Sequence, residues 1–311
     1  MADMNPSRET SKTPPAWTQF SLVIPVRRPP KQFRAHIASL HQYLSQAELG
    51  AFEIILVPNS APGDSEDDGA AACLELASHM TGVRVVAGQG AAGKGAALRT
   101  GIRAARGRWV GFTDADLPYA PDFFARAAPF LQDGHALVVG NRRSPQSWFE
   151  VPVPLLRFTY GRHRMSLLFN RLVRWLLPIR VIDTQAGIKA MTREFAQAAF
   201  TADLCPGFFF DLELFLVAEA RGAGVADLPV HFTQHEEATT VRFIQQSLNG
   251  LYWLARIKAR HLRGHYRRGA KLLQSSPVEA APQIHLAGPR QGASPAGPLA
   301  PGGAAASVDS G

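Results

Sequence analysis

The chain alternates short apolar runs with stretches of helical spacing over its first 140 residues. Phe20–Pro25 reads as a strand, Phe33–Gln46 has an apolar residue every three or four positions, and Glu53–Val57 is again continuously apolar. A continuous apolar run suits a strand buried on both faces, and the 3.6-residue period suits a helix with one buried side. The alternation continues with a helix over Glu66–Met80, a strand over Val83–Ala87, a helix over Gly95–Ala105, a strand over Arg108–Thr113, a helix over Pro121–Leu131 and a strand over Ala136–Gly140. Strands alternating with helices at short spacing predict an α/β fold with a mostly parallel central sheet and helices on both faces.

Beyond Gly140 the rhythm changes. Leu155–Leu177 contains a helix, Val181–Ala190 a turn segment, Phe208–Arg221 a helix, Asp227–Thr233 a strand and Val241–Tyr266 a long basic amphipathic helix. Residues 1–17 are polar and proline-containing, and residues 273–311 are mainly Ala, Gly, Pro and Ser. Such segments bury too little apolar surface to offset their ordering entropy, so both are expected to be disordered. The folded body is expected over 18–240, followed by the amphipathic helix over 241–272.

Composition narrows the classes. Cys73 and Cys205 form no CxxC pair, which argues against a disulfide framework or a zinc site and favours a reducing, cytoplasmic setting. The sequence shows no signal peptide and no apolar run of the ~20 residues needed to span a bilayer. The net charge of +8 is unevenly spread. Val151–Ile182 holds six Arg and no acid, Ala238–Val278 holds eight Lys or Arg and no acid, and the remainder is net negative. Both basic stretches are interleaved with Leu, Phe and Trp, which points to an anionic membrane surface rather than nucleic acid. Trp148, Trp175 and Trp253 suit either a bilayer interface or core packing. His163, His231, His235 and His261 lack metal-ligand spacing.

The chemistry concentrates in one run. Gly93-Lys94-Gly95 opens a helix that ends at Gly107, an apolar strand follows, and Asp114-Ala115-Asp116 closes it. Open α/β sheets bind ligands at the carboxyl ends of their strands. Two carboxylates there suit a hard divalent cation, Mg²⁺ or Mn²⁺, shared with substrate phosphates, and the alternative is that they cap the next turn. Glycines flanking Lys94 would let the backbone and the ammonium approach an anion. Arg99 and Arg103, one turn apart, read as a solvated helix face.

Four segments together resemble family 2 inverting glycosyltransferases, in the branch of dolichyl-phosphate β-glucosyltransferase and dolichyl-phosphate mannose synthase. They are Ser21-Leu22-Val23-Ile24-Pro25, the run from Gly93 to Asp116, Gly140-Asn141-Arg142, and Asp183-Thr184-Gln185-Ala186-Gly187-Ile188-Lys189, supported by Phe210-Asp211-Leu212-Glu213-Leu214. The resemblance implies a GT-A-like nucleotide-diphospho-sugar transferase fold. It implies transfer of a sugar from a UDP-glucose- or GDP-mannose-type donor to a polyprenyl phosphate, with inversion, at the cytoplasmic face of a membrane.

It also implies Asp114 and Asp116 as metal ligands and Asp116, Asp183 and Asp211 as catalytic. Pro25, Asn59, Lys94, Asp114, Gln185, Lys189 and Glu213 would line the donor and acceptor sites. Arg142, Arg157 and Arg164 would hold a lipid phosphate, since forked guanidinium donors suit phosphate oxygens. Asp211 and Glu213 also suit the positive end of a helix. An ionised phosphate acceptor needs no general base. Two departures stand out: Arg27-Arg28-Pro29 and Val57-Pro58-Asn59 replace acidic segments that in the family touch the base and ribose. They keep two alternatives open, a soluble glycosyltransferase with a saccharide or small-molecule acceptor, and a catalytically degenerate nucleotide-sugar-binding or scaffold protein.

Overall fold

The computed structural model describes residues 18–59, 67–88, 93–152, 156–201, 204–234 and 240–267. Within these, side chains at 67–68, 156–163, 165, 201 and 240–248 lie outside the described set. The order of elements is β1 (Phe20–Val26), α1 (Phe33–Gln46), β2 (Phe52–Pro58), α2 (Asp67–His79), β3 (Val83–Val85), α3 (Lys94–Ala104), β4 (Trp109–Phe112), α4 (Asp122–Gln132) and β5 (Leu137–Asn141). It continues with β6 (Trp148–Glu150), α5 (Leu156–Leu176), β7 (Lys189–Thr192), α6 (Arg193–Thr201), α7 (Phe210–Ala220), β8 (Val225–Pro229), β9 (His231–Thr233) and α8 (Thr240–Leu262).

Seven strands form one sheet in the order β3-β2-β1-β4-β7-β5-β8. All neighbouring pairs are parallel except those of β7, which runs antiparallel to both β4 and β5. Alternation along the strands splits the core in two. Val23, Ile55, Val57, Val110 and Phe112 pack with α3, α6, α7 and α8, while Leu22, Ile24, Ile54 and Leu56 pack with α1, α2 and α4. Each fully buried side chain of this size contributes roughly 1.5–3 kcal/mol, so both faces are strongly specified. Gly101 lets α3 lie directly on the sheet, because a methyl group there would overlap Val23 and Val57.

Several elements differ from the sequence reading. The turn expected over Val181–Ala190 runs into a buried strand, β7, in the middle of the sheet. Its four residues, Lys-Ala-Met-Thr, are too few to show a period, and they begin with a lysine. The strand expected over Asp227–Thr233 is two strands in different sheets: β8 joins the central sheet, and β9 pairs with β6. Pro229, which has no N–H to extend a ladder, ends β8. The helix α8 is amphipathic as expected, and it packs on α7, burying Leu254 and Ile257, with Tyr266 beyond it, in the core.

Candidate active site

The topology gathers the candidate residues at one edge of the sheet. Phe112, the last residue of β4, pairs with Lys189, the first of β7. Because β7 is antiparallel, the segment 183–188 before it meets Asp114 just after β4. Arg142 leaves the parallel-running β5 at the same edge, and the first turns of α3 and α7 bring Lys94 and Asp211.

Lys94 Nζ lies 2.5 Å from Asp114 Oδ1. Burial pushes the Lys94 ammonium down, but Asp114 and then Asp211 outweigh it and hold its pKa above the usual value. Lys189 is fully buried, with Nζ 2.8 Å from Asp211 Oδ1 and donating to the Ala186 carbonyl at 2.7 Å. Its ammonium also sits over the rings of Phe112 and Phe215, at 5.5 and 5.9 Å. Burial pulls the Lys189 pKa down despite Asp211, and burial pushes the Asp211 carboxyl up despite Lys189 and Lys94. Two lysines and two aspartates thus form one partly dehydrated charge cluster.

Asp183 is buried and holds Arg142. Its Oδ2 accepts from Arg142 Nε at 2.7 Å and from the Arg142 backbone N–H at 3.0 Å, and its Oδ1 accepts from Arg142 Nη2 at 3.0 Å and the Gln185 N–H at 3.2 Å. Burial would raise its pKa, but Arg142 overrides it and the carboxyl is held down at about 2. A carboxylate so acidic and so fully hydrogen-bonded is a weak base, so Asp183 positions Arg142 and Gln185 rather than taking a proton. Gln185 is half-buried beside it.

Two glycine roles differ from expectation. An anion was expected at the backbone of Gly93 and Gly95, yet protein carbonyls already stand there. A methyl group at either position would overlap Pro206 or Cys205 carbonyl oxygen, Gly95 N–H donates to Gly207 O at 3.2 Å, and Ala96 N–H donates to Pro206 O at 3.1 Å. Arg99, expected on a solvated face, donates Nη2 to Leu204 O at 2.8 Å. What α3 offers a ligand is therefore the Lys94 side chain rather than its first N–H groups. Gly187 is required for the opposite approach: a methyl group there would overlap Asp114 Oδ2 and lie 3.4 Å from Lys94 Nζ.

The remaining candidates divide. Asp116 is half-buried in the turn closed by Leu117 N–H to Asp114 O at 3.1 Å. Asn59 Oδ1 accepts the Gly93 N–H at 3.0 Å, which ties the end of β2 to the entry of α3. Pro25 lies in β1 opposite Val57. Glu213, expected to touch substrate, is fully buried and bonded to Cys205 N–H, Arg260 and Tyr266. Arg164 is exposed on α5, and the Arg157 side chain lies outside the described residues.

Sequence reasoning missed Tyr119, whose hydroxyl accepts the Gly187 N–H at 3.0 Å and whose pKa is raised chiefly by burial. It also missed Asn170, which joins α5 to the site by donating to Ile182 O at 2.6 Å and accepting from Thr184 Oγ1 at 2.9 Å. A polar residue on the buried side of α5, three before Val173 and seven before Leu177, was the available signal.

Among the described residues no group of three or more His, Cys, Asp or Glu could hold a metal by itself. Asp114 and Asp116 nonetheless form a hard-oxygen pair, and a cation shared with a diphosphate needs only one or two protein carboxylates. Asp114 Oδ1 is engaged by Lys94.

The chain is similar to known proteins over most of its length. The chain is 26% identical to dolichyl-phosphate beta-glucosyltransferase from Mus musculus over 85% of its length and 83% of the relative's, and the Homo sapiens protein gives the same figures. Among solved structures, glucosyl-3-phosphoglycerate synthase from Mycobacterium tuberculosis in complex with UDP superposes with a TM-score of 0.56 at 19% identity, covering 78% of this chain and 80% of that one. The same synthase with Mn²⁺, UDP and glucosyl-3-phosphoglycerate gives 0.53, covering 80% of both. The fold is that of the GT-A glycosyltransferases. Residues 21–197 match the description Glycosyl transferase family 2, and the chain belongs to that family of enzymes.

Proposed function

We propose that the protein transfers a hexose from a nucleotide-diphospho-sugar of the UDP-glucose or GDP-mannose type to a polyprenyl phosphate, with inversion at the anomeric carbon. The observation that carries this reading is the convergence of Lys94, Asp114, Arg142 and the Lys189–Asp211 pair at the carboxyl edge of the sheet. The likeness to dolichyl-phosphate beta-glucosyltransferases over most of both chains supports the acceptor class.

In this reading Lys94 binds the donor diphosphate, and Asp114 keeps the ammonium charged and aimed. Asp116, with Asp114 beside it, would hold Mg²⁺ or Mn²⁺, which neutralises charge on the departing nucleotide. Asp183 fixes the Arg142 guanidinium, whose remaining N–H groups suit a phosphate of donor or acceptor. The Asp211 carboxylate, held by Lys189, helps Asp114 keep Lys94 charged. The acceptor phosphate is ionised near neutral pH and attacks directly, so no side chain is assigned as base.

No described helix is long and apolar enough to cross a membrane. The exposed positions described along α5 are Arg164, Leu167, Leu168, Arg171, Arg174 and Trp175, a single stripe of cations and large apolar groups without an acid. This stripe supports peripheral docking on an anionic membrane surface at its cytoplasmic face, with each cation contributing about 1 kcal/mol near such a surface.

The test is transfer of radiolabelled sugar from UDP-glucose and from GDP-mannose to a short polyprenyl phosphate in the presence of MnCl₂. The reading expects lipid-linked product from one donor and its loss in Asp116→Ala with an unchanged melting temperature. Transfer from neither donor, or full turnover by Asp116→Ala, contradicts it.

A further inference from the structure

Glu213 lies in the first turn of α7 with no exposure to solvent, and accepts from donors in two other parts of the chain. Its Oε1 accepts from Tyr266 Oη at 2.6 Å and from Arg260 Nη1 at 2.9 Å, both from the C-terminal part of the α8 region. Its Oε2 accepts from the Cys205 N–H. The 204–207 segment held this way is the one whose carbonyls receive Gly95 N–H, Ala96 N–H and Arg99. Gly93 and Gly95 leave no gap between that segment and the first turn of α3. The contacts therefore run without interruption from Tyr266 and Arg260, through Glu213 and the 204–207 segment, to the backbone that carries Lys94.

A buried carboxylate is an expensive way to fill space. Dehydrating it costs several kcal/mol per ion, and well-packed apolar residues of similar volume often stabilise a fold as well or better. What the carboxylate adds is direction, since it accepts three donors at fixed angles and one of them is the backbone N–H that sets the segment's position.

We infer that Glu213 is a positioning residue for the donor site: held by Arg260 and Tyr266, it seats the 204–207 segment on α3 and so sets where Lys94 stands. The helix α8 is then part of the framework of the nucleotide site. This rests on the reading of Lys94 as a ligand of the donor diphosphate. A residue that acts only on stability would lower the melting temperature without its effect depending on Lys94.

The test uses calorimetric titration of the full chain with UDP and with GDP, each with MnCl₂. Tyr266→Phe removes one donor and keeps the ring. It is expected to weaken the tighter-binding nucleotide about tenfold in the wild-type background. In a Lys94→Ala background it is expected to change affinity less than about twofold, because coupled residues are non-additive. Equal weakening in both backgrounds, or no weakening in either, overturns the inference while leaving Lys94 as a ligand. Binding of both nucleotides by Lys94→Ala as tightly as by wild type, or of neither by wild type, removes the reading of Lys94 and the inference with it.

A second readout needs no nucleotide. Amide exchange at Gly95 and Ala96 should quicken in Tyr266→Phe, and in the isosteric Glu213→Gln should the first variant fold poorly, with exchange at Val138 and Val139 of β5 unchanged. Unaltered exchange at Gly95 and Ala96 overturns the inference.

Discussion

Gly187 passes so close to Asp114 that a β-carbon on the glycine would occupy the space of Asp114 Oδ2. The segment before β7 and the turn after β4, more than 70 residues apart in sequence, are thereby locked at van der Waals distance. Lys94, Asp114 and the 183–187 segment are consequently packed against one another, and the geometry of this corner is set by that packing.

Gly187→Ala should therefore push the Asp114 carboxylate off Lys94. Overpacking of this kind costs typically 1–3 kcal/mol in stability, and a displacement of about 1 Å at a reacting site lowers rate about 100-fold. Steady-state kinetics alongside thermal unfolding should show a fall in kcat/KM well beyond the loss of stability. A fully active Gly187→Ala enzyme would show that this close approach does not matter to turnover.

Lys189 and Asp211 form a buried pair, and removing one member leaves the other unpaired. Lys189→Met should destabilise by about 3–5 kcal/mol, measured by denaturant unfolding, and a second change, Asp211→Asn, should recover much of that loss. Activity should stay low in the double variant because the Asp211 carboxylate, which helps keep Lys94 charged, is gone.

How far the sequence discloses this site depends on distance along the chain. Asp114, Asp116 and Lys94 lie within one strand–helix unit, so their spacing alone brings them to a strand end. Tyr119 and Gly187 meet across 68 residues, and Glu213 reaches Arg260 and Tyr266 across 47 and 53. No local pattern encodes such contacts. Gly93 and Gly95 show the converse hazard: their spacing suggests phosphate binding, whereas their positions are dictated by the Cys205–Gly207 carbonyls. The parallel sheet was legible in its continuous apolar runs, but β7 was not, because a four-residue strand beginning with a charged residue carries no period.

The Arg142–Asp183 pair gives stability a definite pH dependence. The carboxyl is held at about 2 in the folded protein against 3.8 for an ordinary aspartate. A depressed acid contributes stability that is fully present above about pH 5 and is lost as pH falls through 4 toward 2, on the order of 2 kcal/mol. Urea midpoints measured from pH 6 to pH 2.5 should show a shallower acid-side loss in Asp183→Asn than in wild type. Parallel curves would assign the acid sensitivity elsewhere.

On α5, Trp175 is 80% exposed and Leu168 62%, flanked by Arg171 and Arg174. Flotation with vesicles containing anionic lipid should recover the wild-type protein, and Leu168→Glu with Trp175→Glu should abolish recovery without changing the melting temperature. Recovery should fall at high salt, since the Arg contribution is screened. Equal flotation of the double variant would move the docking face off α5.

The account as a whole turns on Asp116 and Lys94 meeting at a nucleotide diphosphate. A crystal structure of the protein with UDP or GDP and MnCl₂ tests this most directly, because manganese is located by its anomalous signal. The account predicts manganese between the Asp116 carboxylate and the diphosphate, with Lys94 Nζ on a phosphate oxygen. Nucleotide bound elsewhere, or bound here with Asp116 and Lys94 turned to other partners, would contradict it.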